Sequence, residues 1–80
     1  MPRFRDLLNY CERNGWELYK DTDHYYYRKL SADGVLLRTK VSHALAREIP
    51  PGLFQIILKQ QLHTTKAEFN KNCSSDIYAG

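Results

Sequence analysis

The sequence predicts an α+β domain: a helix, a three-stranded antiparallel sheet and two further helices, with the helices packed on one face of the sheet. Three observations carry this. Phe4, Leu7, Leu8 and Cys11 recur at helical spacing. The runs His24 to Leu30 and Val35 to Val41 alternate in character and flank the turn Ser31-Ala32-Asp33-Gly34. Pro50-Pro51-Gly52 then opens an apolar helical stretch from Leu53 to Leu62.

The first helix carries the Phe4, Leu7, Leu8, Cys11 stripe and stops at Asn14-Gly15, where glycine supplies a left-handed end. Trp16 to Lys20 reads as the first strand, with Trp16 and Leu18 on one side, and Asp21-Thr22-Asp23 as a turn. Register in the following hairpin can be argued from its loop. Pairing Leu30 with Val35 would mix polar and apolar sides. Pairing Ser31 with Val35, with Gly34 as a left-handed bulge residue, sorts them. Ser42 to Ile49 is a connector with room for a short helical turn. Leu53, Phe54, Ile56, Ile57, Leu58 and Leu62 predict a helix buried over a wide face. Thr65-Lys66-Ala67-Glu68 matches a capping box for a last helix carrying Phe69.

Residues 1–71 are therefore read as one domain and 72–80 as a polar, fraying tail. A chain of 80 residues buries only about 60% of its unfolded surface, so its stability margin is thin. Cys11 on the helix stripe and Cys73 near the end form no metal-ligating spacing, so no metal is expected. Two separated cysteines fit a reducing compartment. No apolar run approaches the roughly 20 residues that span a bilayer. Met1-Pro2-Arg3-Phe4-Arg5-Asp6 lacks a signal-peptide core, and a cytoplasmic protein is expected.

Net charge is +3, and its placement matters more than its size. Between His24 and Arg47 lie five Lys or Arg residues and a single acid, Asp33. Strand alternation puts His24, Tyr26 and Arg28 on one side of the hairpin with Leu36, Arg38 and Lys40. Tyr25, Tyr27, Val35, Leu37, Thr39 and Val41 take the other side, suited to a core. The register sets Arg28 opposite Arg38, an unfavourable like-charge pair that an external anion would relieve. An imidazole among cations suits a phosphate backbone.

Taken together, Arg5-Asp6-Leu7-Leu8, Gly15-Trp16, His24 with its aromatic strand, Arg38-Thr39-Lys40-Val41, Glu48-Ile49, Pro51-Gly52-Leu53, Ile57-Leu58-Lys59-Gln60 and Glu68-Phe69 resemble the HicA family of toxin–antitoxin mRNA interferases. The resemblance covers roughly residues 3 to 70. It implies a fold like double-stranded-RNA-binding domains, metal-independent cleavage of mRNA, and neutralisation by a HicB-type antitoxin. The family's catalytic histidine lies in a Gly-Ser-His or Gly-Asp-His motif at a strand start. His24 takes that place, with Thr22 where the family has glycine.

RNA can be cut without metal because its 2′-hydroxyl can attack the adjacent phosphate. An imidazole, whose unperturbed pKa is about 6.5, suits the proton transfers. His24 is thus the candidate general base or acid. Arg28, Arg38 and Lys40 are candidate phosphate ligands. Lys20 and Lys59 are candidates for steering the backbone, and Tyr26 for touching a nucleotide. Tyr26 or a water could provide the second proton transfer. His43 reads as a connector residue and His63 as a helix-end cation. No organic cofactor is expected. The alternative is a non-catalytic RNA-binding module on the same fold.

Overall fold

In the computed structural model, which describes residues 2–73, helix α1 (Phe4–Arg13) presents Phe4, Leu7, Tyr10 and Cys11 to the core. Tyr10 takes the inward place expected of Leu8, which is only half-buried. The helix stops as its sequence requires. Gly15 adopts φ +75°, and the Trp16 N–H reaches back to the Cys11 carbonyl at 3.1 Å, the six-to-one bond of a glycine-terminated helix. Lys29 adds its ammonium to the Asn14 carbonyl at 2.6 Å, a cation at the negative end of the helix dipole.

Strands β1 (Glu17–Asp21), β2 (His24–Leu30) and β3 (Leu36–Ser42) form an antiparallel meander in the order β1-β2-β3. The expected hairpin register is present: Arg28 faces Arg38 and Tyr26 faces Lys40. Gly34 sits at φ +84°, and the Ser31 N–H bonds the Val35 carbonyl at 2.8 Å. The first strand departs from expectation. It starts one residue later, and its pairing slips between Leu18 and Lys20. This bulge breaks strict alternation. Trp16 is buried just before the strand, while Leu18 stays 43% exposed instead of sharing its side.

Tyr27, Leu37, Thr39 and Val41 line the buried face of the sheet. Tyr25 only packs at its margin, and Val35, expected in the core, lies exposed in the loop before β3. The connector forms a turn at Leu45-Ala46 and no helix. It is nonetheless anchored. The Phe4 and Arg5 N–H groups, free at the start of α1, donate to the Arg47 and Leu45 carbonyls at 3.0 and 2.9 Å. The Ile49 N–H donates to the Pro2 carbonyl, and Arg3 bridges Glu48.

Helix α2 (Pro51–Ile56) continues without a break into a π-helical turn, Ile57–Leu62. Phe54, Ile57, Leu58 and Leu62 are buried. Leu53 and Ile56 remain 40% and 46% exposed, so the buried face is narrower than the apolar pattern suggests. The run ends at His63, a left-handed residue at φ 53°. The Thr65 hydroxyl then accepts the Glu68 N–H at 3.2 Å and starts α3 (Lys66–Cys73). Phe69, fully buried, stacks on Tyr10 at 5.2 Å and meets Phe54 edge-on at 5.1 Å. The helix extends through Cys73, into the segment read as a tail; the rest of that tail, 74–80, lies outside the described residues. Among the described residues no helix is long and apolar enough to cross a membrane.

Candidate nucleic-acid interface

The outer face of the hairpin carries His24, Tyr26, Arg28, Arg38 and Lys40 together, as β alternation requires. The bulge adds two residues from β1. Lys20 pairs with Tyr26 and Tyr19 is the extra residue, and both approach the Tyr26 ring. The Lys20 ammonium lies 5.1 Å from its centroid and the Tyr19 ring 6.2 Å away. The Arg28 guanidinium in turn covers Tyr19 at 4.8 Å, within cation–π range.

His24 is held by the acid that precedes it. Its Nδ1 lies 3.1 Å from Asp23 Oδ2, and its side chain is 32% exposed. Asp23 Oδ1 accepts from the Tyr26 hydroxyl at 2.8 Å and the Thr22 hydroxyl at 3.0 Å. These donors, Tyr26 foremost, then His24 and Thr22, hold the Asp23 carboxyl well below the usual carboxylate range. The same bond pushes the Tyr26 phenol up. With Nδ1–H directed at the carboxylate, the neutral ring keeps its lone pair on Nε2.

Two adjoining hollows lie beside these residues. The smaller, about 110 Å³, is lined by His24, Lys40, Ser42 and Gln61 among others. The larger, about 290 Å³, is lined by Tyr19, Tyr26, Arg38, Thr39, Lys40 and Gln61. Lys40 and Gln61 belong to both. Gln61 is carried there by the helix after α2, on the row Leu53, Ile57, Gln61. Its side-chain carbonyl accepts the Thr39 hydroxyl at 2.7 Å.

The structure thus gathers His24, Lys20, Tyr26, Arg28, Arg38 and Lys40 on one face. Lys59 is exposed on the helix and lines neither hollow. Arg28 already has an acidic partner. Its Nε donates to Glu17 Oε1 at 2.9 Å, so a protein carboxylate relieves the Arg28–Arg38 opposition and no external anion is needed there. His43 bonds Asp21 at 3.0 Å and sets its ring 4.3 Å from Tyr25, tying the connector to β1.

Glu17, Tyr19, Thr39 and Gln61 take part without having been singled out, and Asp23, read as a turn residue beside the histidine, orients it. Asp23 adjoined the histidine in plain view. The four-residue spacing of Leu53, Ile57 and Gln61 offered a weaker signal, and nothing local announced the bulge that delivers Tyr19. Among the described residues no three His, Cys, Asp or Glu side chains gather as a metal-ligating group. Comparisons with protein-family models, curated proteins and solved structures find no match to this chain.

Proposed function

We propose that this protein is a metal-independent endoribonuclease of the toxin type, acting on mRNA, with His24 as its proton-transfer group. The observation that supports this best is the Asp23–His24 pair beside a hollow that also holds Lys40. A carboxylate that orients an imidazole fixes its tautomer and serves general-base catalysis.

In the proposed step, His24 Nε2 takes the proton of a ribose 2′-hydroxyl. The 2′-oxygen bonds to the adjacent phosphorus, and the bond from phosphorus to the 5′-oxygen breaks. The departing 5′-oxygen takes a proton from a water molecule, leaving a 2′,3′-cyclic phosphate and a 5′-hydroxyl, and the proton held on His24 Nε2 returns to solvent. Lys40 and Arg38 stabilise the charge that builds on the phosphoryl oxygens. Arg28, neutralised by Glu17, shapes the Tyr19 wall. The α-β-β-β-α order fits a double-stranded-RNA-binding type of fold. A HicB-type antitoxin would silence the protein by covering His24 and the cationic face.

The test is a denaturing gel of RNA incubated with partner-free protein. Cut fragments are expected from the wild type and none from a folded His24→Ala variant. Undiminished cutting by that variant would remove His24 from the mechanism. Salt-sensitive binding without cutting by the wild type would establish the non-catalytic RNA-binding module instead.

A further inference from the structure

We infer that the larger hollow is a subsite for a single unstacked nucleobase, and that the Gln61 amide selects bases with a carbonyl at C4 of a pyrimidine or C6 of a purine, uracil and guanine. The inference rests on the RNA reading above and adds the substrate feature that the face distinguishes.

The hollow, about 290 Å³ and open to solvent on one side, has room for a flat base. Tyr19 and Tyr26 present aromatic surface with ring planes inclined at 55°, so a base can stack on one while the other closes its flank. Arg38 and Lys40 border the same space and are placed for the attached phosphate. Lys40 and Gln61 also line the His24 hollow, so the two spaces adjoin.

Selectivity follows from one hydrogen bond. The Thr39 hydroxyl, on a residue only 4% exposed, donates to Gln61 Oε1 at 2.7 Å. That bond holds the carbonyl end of the amide toward β3, and orientation makes the NH₂ end the one to meet a ligand. An amide NH₂ donates to O4 of uracil or O6 of guanine. It opposes the N4 amine of cytosine and the N6 amine of adenine, which are themselves donors. Thr39 thus acts as a positioning residue for Gln61.

The test uses 2′-O-methyl oligonucleotides, which cannot be cleaved, so base selection is read apart from catalysis. Single-stranded oligo-U is expected to bind roughly 3- to 10-fold more tightly than oligo-C of equal length, the worth of one neutral hydrogen bond. Gln61→Glu, which keeps an acceptor for Thr39 but turns the outward group into an acceptor, should reverse the order. Thr39→Val, of similar shape, should erase it; circular dichroism checks that both variants fold. Equal binding of oligo-U and oligo-C, or an order unmoved by Gln61→Glu, would overturn the subsite. If RNA is cut without base preference, only this inference fails. If preference is found without cutting, only the catalytic reading fails. Absence of all RNA binding overturns both.

Discussion

Glu17 and Arg28 join β1 to β2 through a 2.9 Å bond from Nε to Oε1, and this pairing determines how much free positive charge the outer face carries. It lets Arg28 stand opposite Arg38 without an external anion. Arg28 is thereby spent on Glu17 and on the Tyr19 ring, while Arg38 and Lys40 border the hollow.

Removing that carboxylate should free a cation. Glu17→Gln is expected to strengthen RNA binding and to steepen its salt dependence. The plot of log affinity against log salt should gain about 0.7 in slope, one additional phosphate contact on a single strand. Fluorescence anisotropy across a salt series measures this. An unchanged slope would mean that Arg28 never reaches the RNA. Both side chains are exposed, so the melting temperature should barely move.

The Asp23–His24 pair predicts a second result. Asp23→Asn should lower the cleavage rate more than tenfold with little change in RNA affinity, because an amide no longer enforces the productive tautomer. The carboxyl itself can be followed by NMR. Held below its ordinary range chiefly by Tyr26, it should stay ionised through about pH 3.9, where an unperturbed Asp titrates. The sign follows from linkage. A depressed folded pKa contributes stability above the ordinary value, and that contribution is lost as pH falls toward the depressed one. Tyr26→Phe should move the Asp23 midpoint upward. A midpoint already ordinary in the wild type would show that the hydrogen bonds do not form in solution.

Alkaline stability should be governed by Cys11. Burial first, then the neighbouring Glu12, pushes its thiol from 9.0 up to about 12. Between those values the unfolded chain releases a proton that the folded chain keeps. Stability should therefore be intact below pH 9 and fall above it, by about 1.4 kcal/mol per pH unit for one such proton. The Tyr27 phenol, pushed up by burial and by its 2.6 Å bond to Glu12, acts in the same direction at higher pH. Urea midpoints measured on either side of pH 9 report the slope, and Cys11→Ala should flatten its first part. A pH-independent midpoint in the wild type would place the thiol in contact with water.

The docking of α3 depends on Phe69. Its ring fills the space between Tyr10 and Phe54, so Phe69→Ala should cost about 3–5 kcal/mol. In a domain of this size each kcal/mol moves the melting temperature by about 4–8 °C, so a loss of at least about 12 °C is expected. A shift of only a few degrees would indicate that α3 does not contribute to the folded core.

Much of the fold was legible because its signals are local. The Phe4, Leu7 and Cys11 stripe, the Asn14-Gly15 stop and the Thr65 cap each act within one or two turns of chain. The β2–β3 register was legible as well, since a slip of one residue would carry every buried side chain of a strand to the wet side. Leu53 and Ile56 were misjudged because an apolar side chain does not encode whether a neighbour reaches it.

The sequence by itself determined the order of helices and strands and the sharing of one strand face by His24, Tyr26, Arg28, Arg38 and Lys40, because side-chain alternation is a property of the extended backbone. Only the tertiary structure decided what those residues face. The β1 bulge delivered Tyr19 and Lys20 to Tyr26, Glu17 claimed Arg28, and the helix after α2 brought Gln61 to Thr39 across 22 positions of chain. Such meetings depend on how separate elements pack, and no local pattern of residues records that.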